Sequence, residues 1–204
     1  MNLRKALLLL AVAIFVTATA QAQFGAYGTF TANRLSNIKS SPLVTTPSAV
    51  NNDVSPLGGT GGVYYDFLKL GRVVKLGADL RGTITTTKRG DYINANGGGA
   101  RINSGLIGVR AVFNAPLLHH ALRPYIQGSV GLGSTNYGLL YDNGVTLHSN
   151  FEYMGFAGVD IPLLPYMDFR LVEIGAGGLN PFGTNSHNYP LQSVSSGVVF
   201  HLPF

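Results

Sequence analysis

Apolar and polar residues alternate along most of the chain after residue 22. Across residues 73–84, for example, Leu76 and Leu80 stand in phase with one another, and Asp79 and Arg81 stand in the opposite phase. Because successive side chains of a strand point to opposite faces, this alternation predicts a strand with one apolar and one polar face. The same pattern recurs in seven further segments: 24–33, 63–70, 105–114, 124–137, 149–161, 166–176 and 195–204.

Eight strands of about 9–11 residues match the length that a tilted strand needs to cross a membrane. Long connections at 35–60, 88–102, 138–147 and 177–190 alternate with short ones at 71–72, 115–123 and 162–165. Outer-membrane barrels alternate in this way, with short turns on the periplasmic side and long loops outside. We therefore predict an all-β fold, an eight-stranded antiparallel transmembrane up-and-down β-barrel with its apolar face toward lipid. A soluble lipocalin-like barrel is the rival fold, and it would turn its apolar residues inward.

One strand breaks the alternation. Glu173 falls in phase with Leu171, so a regular strand would place this carboxylate on the lipid face. A β-bulge between them would return it to the polar face. The sequence leaves open whether Glu173 faces lumen or lipid.

Composition narrows the class of protein further. Only 11% of the 204 residues are charged, against about 25% in average soluble domains, which argues against a disordered chain. The absence of cysteine excludes disulfides and thiolate metal sites. The mild positive charge gives no basis for binding nucleic acid.

The first 22 residues have the features of a secretory signal peptide. Arg4 and Lys5 precede an apolar run over residues 6–16, and Ala20-Gln21-Ala22 forms a small-x-small cleavage pattern. We expect a cleaved signal peptide over residues 1–22 and an outer-membrane barrel domain over residues 23–204.

The last predicted strand ends in a phenylalanine, with Val198, Phe200, Leu202 and Phe204 on one face. Together with segments 76–82, 123–125 and 168–173, it resembles the OmpA-like, porin-family outer-membrane β-barrel domain. This resemblance implies a small barrel in the cell outer membrane of a Gram-negative envelope, in contact with outer-membrane lipid and lipopolysaccharide. It also implies that the barrel assembly machinery reads the last strand. We expect a monomer, and no C-terminal peptidoglycan-binding domain, because the sequence stops at strand eight.

An eight-stranded barrel is only wide enough for side chains to fill it, so opposite charges inside should pair. If strands three and four pair around a loop centred near residue 95, Asp79 comes close to Arg110. Such pairs predict either a sealed plug or a narrow, gateable ion path. The predicted lumenal charge network comprises Asp79, Arg81, Arg110, Glu152, Arg170 and Glu173.

Girdle residues are expected at the two membrane interfaces. We assign Phe113, Tyr125, Tyr166 and Phe204 to the inner one. Tyr65, Phe151 and Tyr153 are assigned to the outer one.

Three functions remain open at this point. The first is a structural or porin-like role in membrane integrity, with passage of small solutes. The second is surface recognition or adhesion through four extracellular loops. The third is a lipid A-modifying enzyme, for which the candidates are His148, Ser149 and Glu152 near one rim, and Ser186 and His187 in the last long loop. Adjacent residues of a strand point to opposite faces, which hinders pairing of His148 with Ser149, so we expect no enzyme. We also expect no cofactor and no metal, since His119 and His120 lack neighbouring ligands.

Overall fold

Eight antiparallel strands close into a barrel in the computed structural model. Each strand pairs with its neighbours in sequence, and the last strand closes against the first. The strands are β1 (Gln23–Leu35), β2 (Leu57–Leu70), β3 (Val74–Thr86), β4 (Arg101–Phe113), β5 (Arg123–Thr135), β6 (His148–Leu164), β7 (Met167–Pro181) and β8 (Tyr189–Leu202). The structure describes residues 23–36, 55–71, 73–86, 101–113, 122–135, 148–181 and 188–202. The fold class predicted from the alternation is confirmed.

The two faces of the barrel have the predicted polarity. Leu80 and Ile107 pair across β3 and β4 and point outward, with 57% and 61% of their surfaces exposed. Asp79 and Arg81, their neighbours in the strand, are buried in the lumen. An exterior of this kind suits hydrocarbon, in which a closed sheet leaves no backbone group unpaired. The soluble alternative, with apolar residues inside, is wrong. Within the described part of the chain, no helix is long and apolar enough to span a membrane.

The barrel has two ends that differ in their connections. The turn end carries the β2–β3 turn at residues 71–73 and the β6–β7 turn at 165–166. Gly71 adopts a φ of 66° there, a left-handed conformation that glycine reaches without steric cost. The loop end carries the connections 36–56, 87–100, 136–147 and 182–188.

The predicted strand and loop lengths need correction. The strands run for 13 to 17 residues, longer than expected, so the pairing extends past the predicted ends. The final loop was predicted at 177–190, but β7 continues to Pro181 because Gly177 and Gly178 still pair with both neighbouring strands. That last connection is therefore shorter than the turn-end connection 114–122, and the alternation of lengths holds only for the first three loops.

A bulge in β7 decides the position of Glu173. The register against β8 shifts between Arg170 and Glu173, and the register against β6 shifts after Val159. Leu171 and Val172 both point outward as a result. Glu173 returns to the lumen, where it is 1% exposed. The bulge is what brings two charged side chains of β7, Arg170 and Glu173, to the same interior.

The aromatic assignments agree with the structure in part. Tyr65, Phe151, Tyr153 and Tyr166 are exposed on the outside of the barrel. Tyr125 was assigned to the inner girdle and is instead buried in the lumen, because it alternates with the outward-facing Ile126. Phe204 lies outside the described residues.

A charge at the middle of the outer face should destabilise the barrel. Leu80 lies midway along β3, so Leu80→Arg should lower the free energy of unfolding in phospholipid vesicles by about 2–4 kcal/mol. Leu57→Arg, at the loop end of β2, is the matched control and should cost only about 0–1 kcal/mol. Denaturant titration, followed by the gel mobility of unheated samples, measures both. Equal costs at the two positions would contradict the membrane orientation.

Candidate functional site in the barrel lumen

The carboxylate of Glu173 lies at the centre of the lumen and accepts hydrogen bonds from four strands. Arg81 of β3 donates from Nη1 to Oε1 at 3.0 Å and from Nη2 to Oε2 at 3.1 Å. Tyr125 of β5 donates its hydroxyl to Oε2 at 2.5 Å, and Ser195 of β8 donates to Oε1 at 3.1 Å. Arg170 of β7 adds a bond from Nη1 at 3.2 Å. A single buried anion thus connects opposite walls of the barrel.

Arg81 extends this cluster toward a second carboxylate. Its Nε donates to Asp79 Oδ1 at 3.2 Å, and its Nη2 also reaches Gln127 Oε1 at 3.2 Å. Asp79 accepts further bonds from the Tyr27 hydroxyl at 3.1 Å and from Gln127 Nε2 at 2.7 Å. Each nitrogen of the Arg81 guanidinium therefore has an acceptor.

Arg170 forms the other half of the cluster. Its Nε and Nη2 donate to the two oxygens of Asp160 at 2.9 and 3.3 Å, in the bidentate geometry that suits a guanidinium and a carboxylate. Its guanidinium carbon lies 4.6 Å from the ring centroids of both Tyr27 and Tyr125. The Arg81 guanidinium packs 3.8 Å from the ring centroid of Phe156. Aromatic faces thus cover the parts of each cation that carboxylates leave open.

We call this set the central network; its charged members are Asp79, Arg81, Asp160, Arg170 and Glu173. All five side chains are nearly fully buried. Two guanidinium groups face three carboxylates, so the network carries one excess negative charge.

A second cluster occupies the turn end of the lumen. Asp168 accepts from Arg123 Nη1 and from His201 Nε2, each at 2.7 Å through Oδ2. The other ring nitrogen of His201 lies 2.6 Å from the Tyr64 hydroxyl. Arg110 belongs to this end, where its Nε lies 3.9 Å from Asp66 Oδ1.

The expected approach of Asp79 to Arg110 is wrong. The β3–β4 pairing joins Thr86 to Arg101, which places the centre of the hairpin between residues 93 and 94. Gly108 is then opposite Asp79, and Arg110 is opposite Gly77, nearer the turn end. Asp79 takes its cation from its own strand, Arg81, and Arg110 stacks 3.9 Å from the ring centroid of Tyr64.

The loop end of the lumen is closed by apolar side chains that the sequence analysis did not identify. They point inward in phase with polar residues such as Asn33 and Glu152, and alternation alone gave no reason to separate them. The signal was present as strand segments with apolar residues in both phases, for example around Met154 and Phe156. We call this group the apolar layer: Leu35, Ile102, Leu106, Met154, Phe156, Leu179, Tyr189 and Leu191.

Two small cavities lie beside the central network. One, of about 20 Å³, lies between the network and the apolar layer, and its lining includes Thr83, Ser104, Glu152 and Ser193. The other, of about 10 Å³, lies at the turn end and its lining includes Asp66 and His201. Each has room for about one water molecule.

The structure divides the six predicted lumenal charges among three places. Asp79, Arg81, Arg170 and Glu173 meet in the central network, and Arg110 lies at the turn end. Glu152 lies in the loop half, hydrogen-bonded to Ser104, and makes no ion pair with any described residue.

The predicted assembly signal lies on the outer face of β8 where the structure describes it. Phe200 and Leu202 are exposed there, and Val198 shares their phase. The fourth member, Phe204, lies outside the described residues.

Most of the side chains considered for catalysis or metal binding lie outside the part of the chain that the structure describes. Ser149 points outward, and the side chain of His148 is not described. His119, His120, the predicted signal peptide and most of the four loops lie outside the described residues. Over the described strands and turns, no group of three or more histidine, aspartate or glutamate side chains is placed to hold a metal.

Removing the central anion should be the most costly lumenal change. Glu173→Gln keeps the shape but removes the carboxylate that Arg81 and Arg170 share and turns an amide donor toward one of their N–H groups, although Asp79 and Asp160 stay in place. Because a buried ion pair is broken in this way, the free energy of unfolding should fall by about 3–5 kcal/mol. Ser195→Ala removes one neutral donor to the same carboxylate and should cost less, about 1.5–3 kcal/mol. Denaturant titration of both variants in vesicles checks the order. A Glu173→Gln barrel as stable as wild type would contradict the central role of this anion.

The Tyr125 hydroxyl should contribute measurably to stability. Its bond to a carboxylate is short and buried, so Tyr125→Phe should lower the free energy of unfolding by about 1.5–3 kcal/mol. Tyr166→Phe, at an exposed turn position, is the control and should stay within about 0.5 kcal/mol of wild type. The same titration measures both, and equal effects would argue against a specific role for the Tyr125 bond.

Comparison with known proteins concerns the fold. No protein-family model and no curated protein sequence matches this chain. Among solved structures it is similar to Ail, the attachment invasion locus protein of Yersinia pestis, determined in complex with the heparin analogue sucrose octasulfate. The identity is 9%, the match covers 88% of this chain and 99% of that chain, and the TM-score is 0.51.

Two further structures match over similar lengths. Neisserial surface protein A is 13% identical, with 88% of this chain and 98% of that chain covered and a TM-score of 0.49. OprG from Pseudomonas aeruginosa is 15% identical, with 90% and 97% covered and a TM-score of 0.43. The closed strand order and the likeness to Ail lead to one conclusion: this chain has the fold of the small eight-stranded outer-membrane β-barrels.

Proposed function

We propose that this protein is a structural component of the outer membrane whose barrel closes its own lumen. It contributes to membrane integrity and does not pass solutes freely in its resting state. The observation that carries this proposal is the Glu173 carboxylate, which accepts bonds from Arg81, Tyr125, Arg170 and Ser195 across the full width of the barrel.

The energetics of the central network favour a closed lumen. A path through it would have to separate Arg81 or Arg170 from their carboxylates. Breaking a buried ion pair by removing one partner costs about 3–5 kcal/mol, and separating two such pairs costs more. The resting barrel would therefore stay closed almost all of the time.

The lumen beyond the network supports the same conclusion. The apolar layer covers the loop-end side, and a hydrated ion entering there would lose its hydration shell against Leu106, Met154 and Leu179. The adjacent cavities, of about 20 and 10 Å³, have room for single water molecules. These volumes are too small for a solute of several heavy atoms.

The exterior of the barrel supports the proposed location. Apolar side chains such as Phe30, Leu80, Ile107 and Ile174 cover the middle of its outer face, and this surface requires lipid around it. A closed barrel that crosses with strands is the form that outer-membrane proteins take. We place the turn end in the periplasm and the loop end outside the cell.

Ion flux in liposomes tests the proposal directly. Refolded protein, with folding verified by the mobility difference between unheated and heated samples, should give no more flux than empty liposomes. The double variant Arg81→Ala and Glu173→Ala removes the central pair and should raise flux above that of wild type. Leu57→Ala, on the outer face at the loop end, is the control and should leave flux at the wild-type level.

Two outcomes would overturn the sealed-barrel proposal. Flux from wild type that scales with the amount of folded protein would make the porin-like role the correct one. A well-folded double variant with no added flux would mean that the central network is not the seal. If the double variant does not fold, the wild-type measurement still decides.

A further inference from the structure

A groove of about 680 Å³ opens on the outer face of the barrel, across strands β2 to β5. Its floor consists of four outward-facing glycines, Gly59, Gly61, Gly82 and Gly105. Gly82 pairs with Gly61 on one side and with Gly105 on the other, so the floor is about 10 Å wide between β2 and β4. A volume of this size lies in the range of clefts that hold small-molecule ligands.

Bulky apolar side chains border this floor. Val63, Leu80 and Ile107 form the next row toward the turn end, because each lies two residues from one of the floor glycines. Leu132 of β5 lies opposite Gly105 at one side of the groove, and Ile84 of β3 lies at its loop-end side. All five of these apolar side chains are exposed on the outer surface of the barrel. The groove is therefore a depression in the surface that faces lipid.

Interior packing does not explain the glycines of the floor. A Cβ atom added to Gly59, Gly61 or Gly82 would lie 3.6, 3.7 or 3.8 Å from the nearest backbone oxygen, and one added to Gly105 would meet nothing within 4 Å. By contrast, a Cβ atom at the inward-facing Gly62 would collide with a tyrosine side chain. Glycine weakens the interior of a strand, and it often marks a place where a ligand approaches the backbone closely.

A cationic side chain lies at the loop-end edge of the groove. Asn103 lines the groove, and its Oδ1 accepts a hydrogen bond from Arg101 Nε at 3.2 Å. This bond holds the partly exposed guanidinium beside the groove. Arginine suits phosphate groups because its N–H donors match two phosphate oxygens at once. Among the residues that the structure describes, no acidic side chain lines the groove, so an apolar floor meets a positive edge.

We propose that this groove binds a phosphorylated and acylated glycolipid of the outer leaflet, the lipid A part of lipopolysaccharide. Its acyl chains lie over the glycine floor, and one of its phosphates pairs with Arg101. Gly82 is four residues from the end of β3, so the floor lies about 10 Å from the loop end of the tilted strands. Acyl chains reach that depth when the headgroup is at the loop end. The inference rests on the proposed placement of the loop end outside the cell, and it does not depend on whether the lumen is closed.

Native mass spectrometry of the refolded protein, released from detergent micelles, tests this proposal. Lipid A is added at increasing concentrations, and phosphatidylethanolamine is the reference lipid. Wild type should bind one molecule of lipid A saturably and severalfold more tightly than it binds phosphatidylethanolamine. Lipid A from which both phosphates have been removed should bind severalfold more weakly, because it lacks the partner of Arg101.

Two pairs of variants separate the apolar part of the site from the charged part. Gly82→Leu fills the floor and should abolish the preference for lipid A. Gly128→Leu makes the same change at an outward-facing glycine of β5 outside the groove, and it should bind like wild type. Arg101→Gln should weaken binding severalfold and remove the difference between phosphorylated and dephosphorylated lipid A. Its control, Arg34→Gln at the loop end of β1, should retain wild-type binding.

Three outcomes would overturn the proposal. The first is equal affinity of wild type for lipid A and phosphatidylethanolamine, and the second is a retained preference for lipid A in Gly82→Leu. The third is release of wild type as a dimer that Gly82→Leu converts to a monomer, since a second copy of the chain would then cover the groove. If Gly82→Leu does not fold, the comparison of Arg101→Gln with Arg34→Gln decides. Ion flux from wild type would contradict the closed lumen without changing any of these results, so the two failures are distinguishable.

Discussion

The bidentate contact between Arg81 and Glu173 is the interaction on which the interior of this barrel depends. It spans the lumen from β3 to β7, so it fixes the distance between opposite walls that share no backbone hydrogen bonds. Tyr125 and Ser195 hydrogen-bond to Glu173, and Gln127 accepts a hydrogen bond from Arg81, so these three side chains are held by the same two groups. The contact exists only because a bulge turns Glu173 inward, so each contact that Glu173 makes at the centre depends on this change in backbone register.

Side chains on the inside and the outside of the barrel must meet opposite requirements, and a strand of alternating polar and apolar residues meets both. Outward residues need only be apolar, because lipid places no demand on their exact shape. Inward polar residues must form their hydrogen bonds and ion pairs with one another, because an eight-stranded barrel encloses too little space for bulk water. The lumenal side chains form three zones along the barrel axis: ion pairs with a histidine at the turn end, the central network, and the apolar layer at the loop end.

The sequence predicted correctly those features of the fold that a single periodicity determines. Alternation identified all eight strands and the outward face of each. It also located the break in β7 where a bulge would return Glu173 to the lumen, but it did not decide whether that bulge forms. Contacts between lumenal side chains were harder to predict from the sequence, because they depend on the register between strands as well as on the face to which each side chain points. A small error in the centre of the β3–β4 hairpin was enough to assign Arg110 to the wrong carboxylate. Tyr125 was misplaced for a different reason, since its position near a strand end suggested a girdle while its phase pointed inward.

The last strand takes part in two of the three lumenal zones through its polar side chains. Ser195 bonds to the central carboxylate, and His201 bonds to both Asp168 and Tyr64 at the turn end. Neither cluster is complete until β8 lies between β1 and β7. A partly assembled sheet of seven strands would hold several buried charges with missing partners and two open edges. When β8 closes against β1, the backbone hydrogen bonds of this seam and the polar contacts of β8 inside the lumen therefore form together. This makes the final stage of barrel folding cooperative, and it disfavours release of a barrel that has not closed.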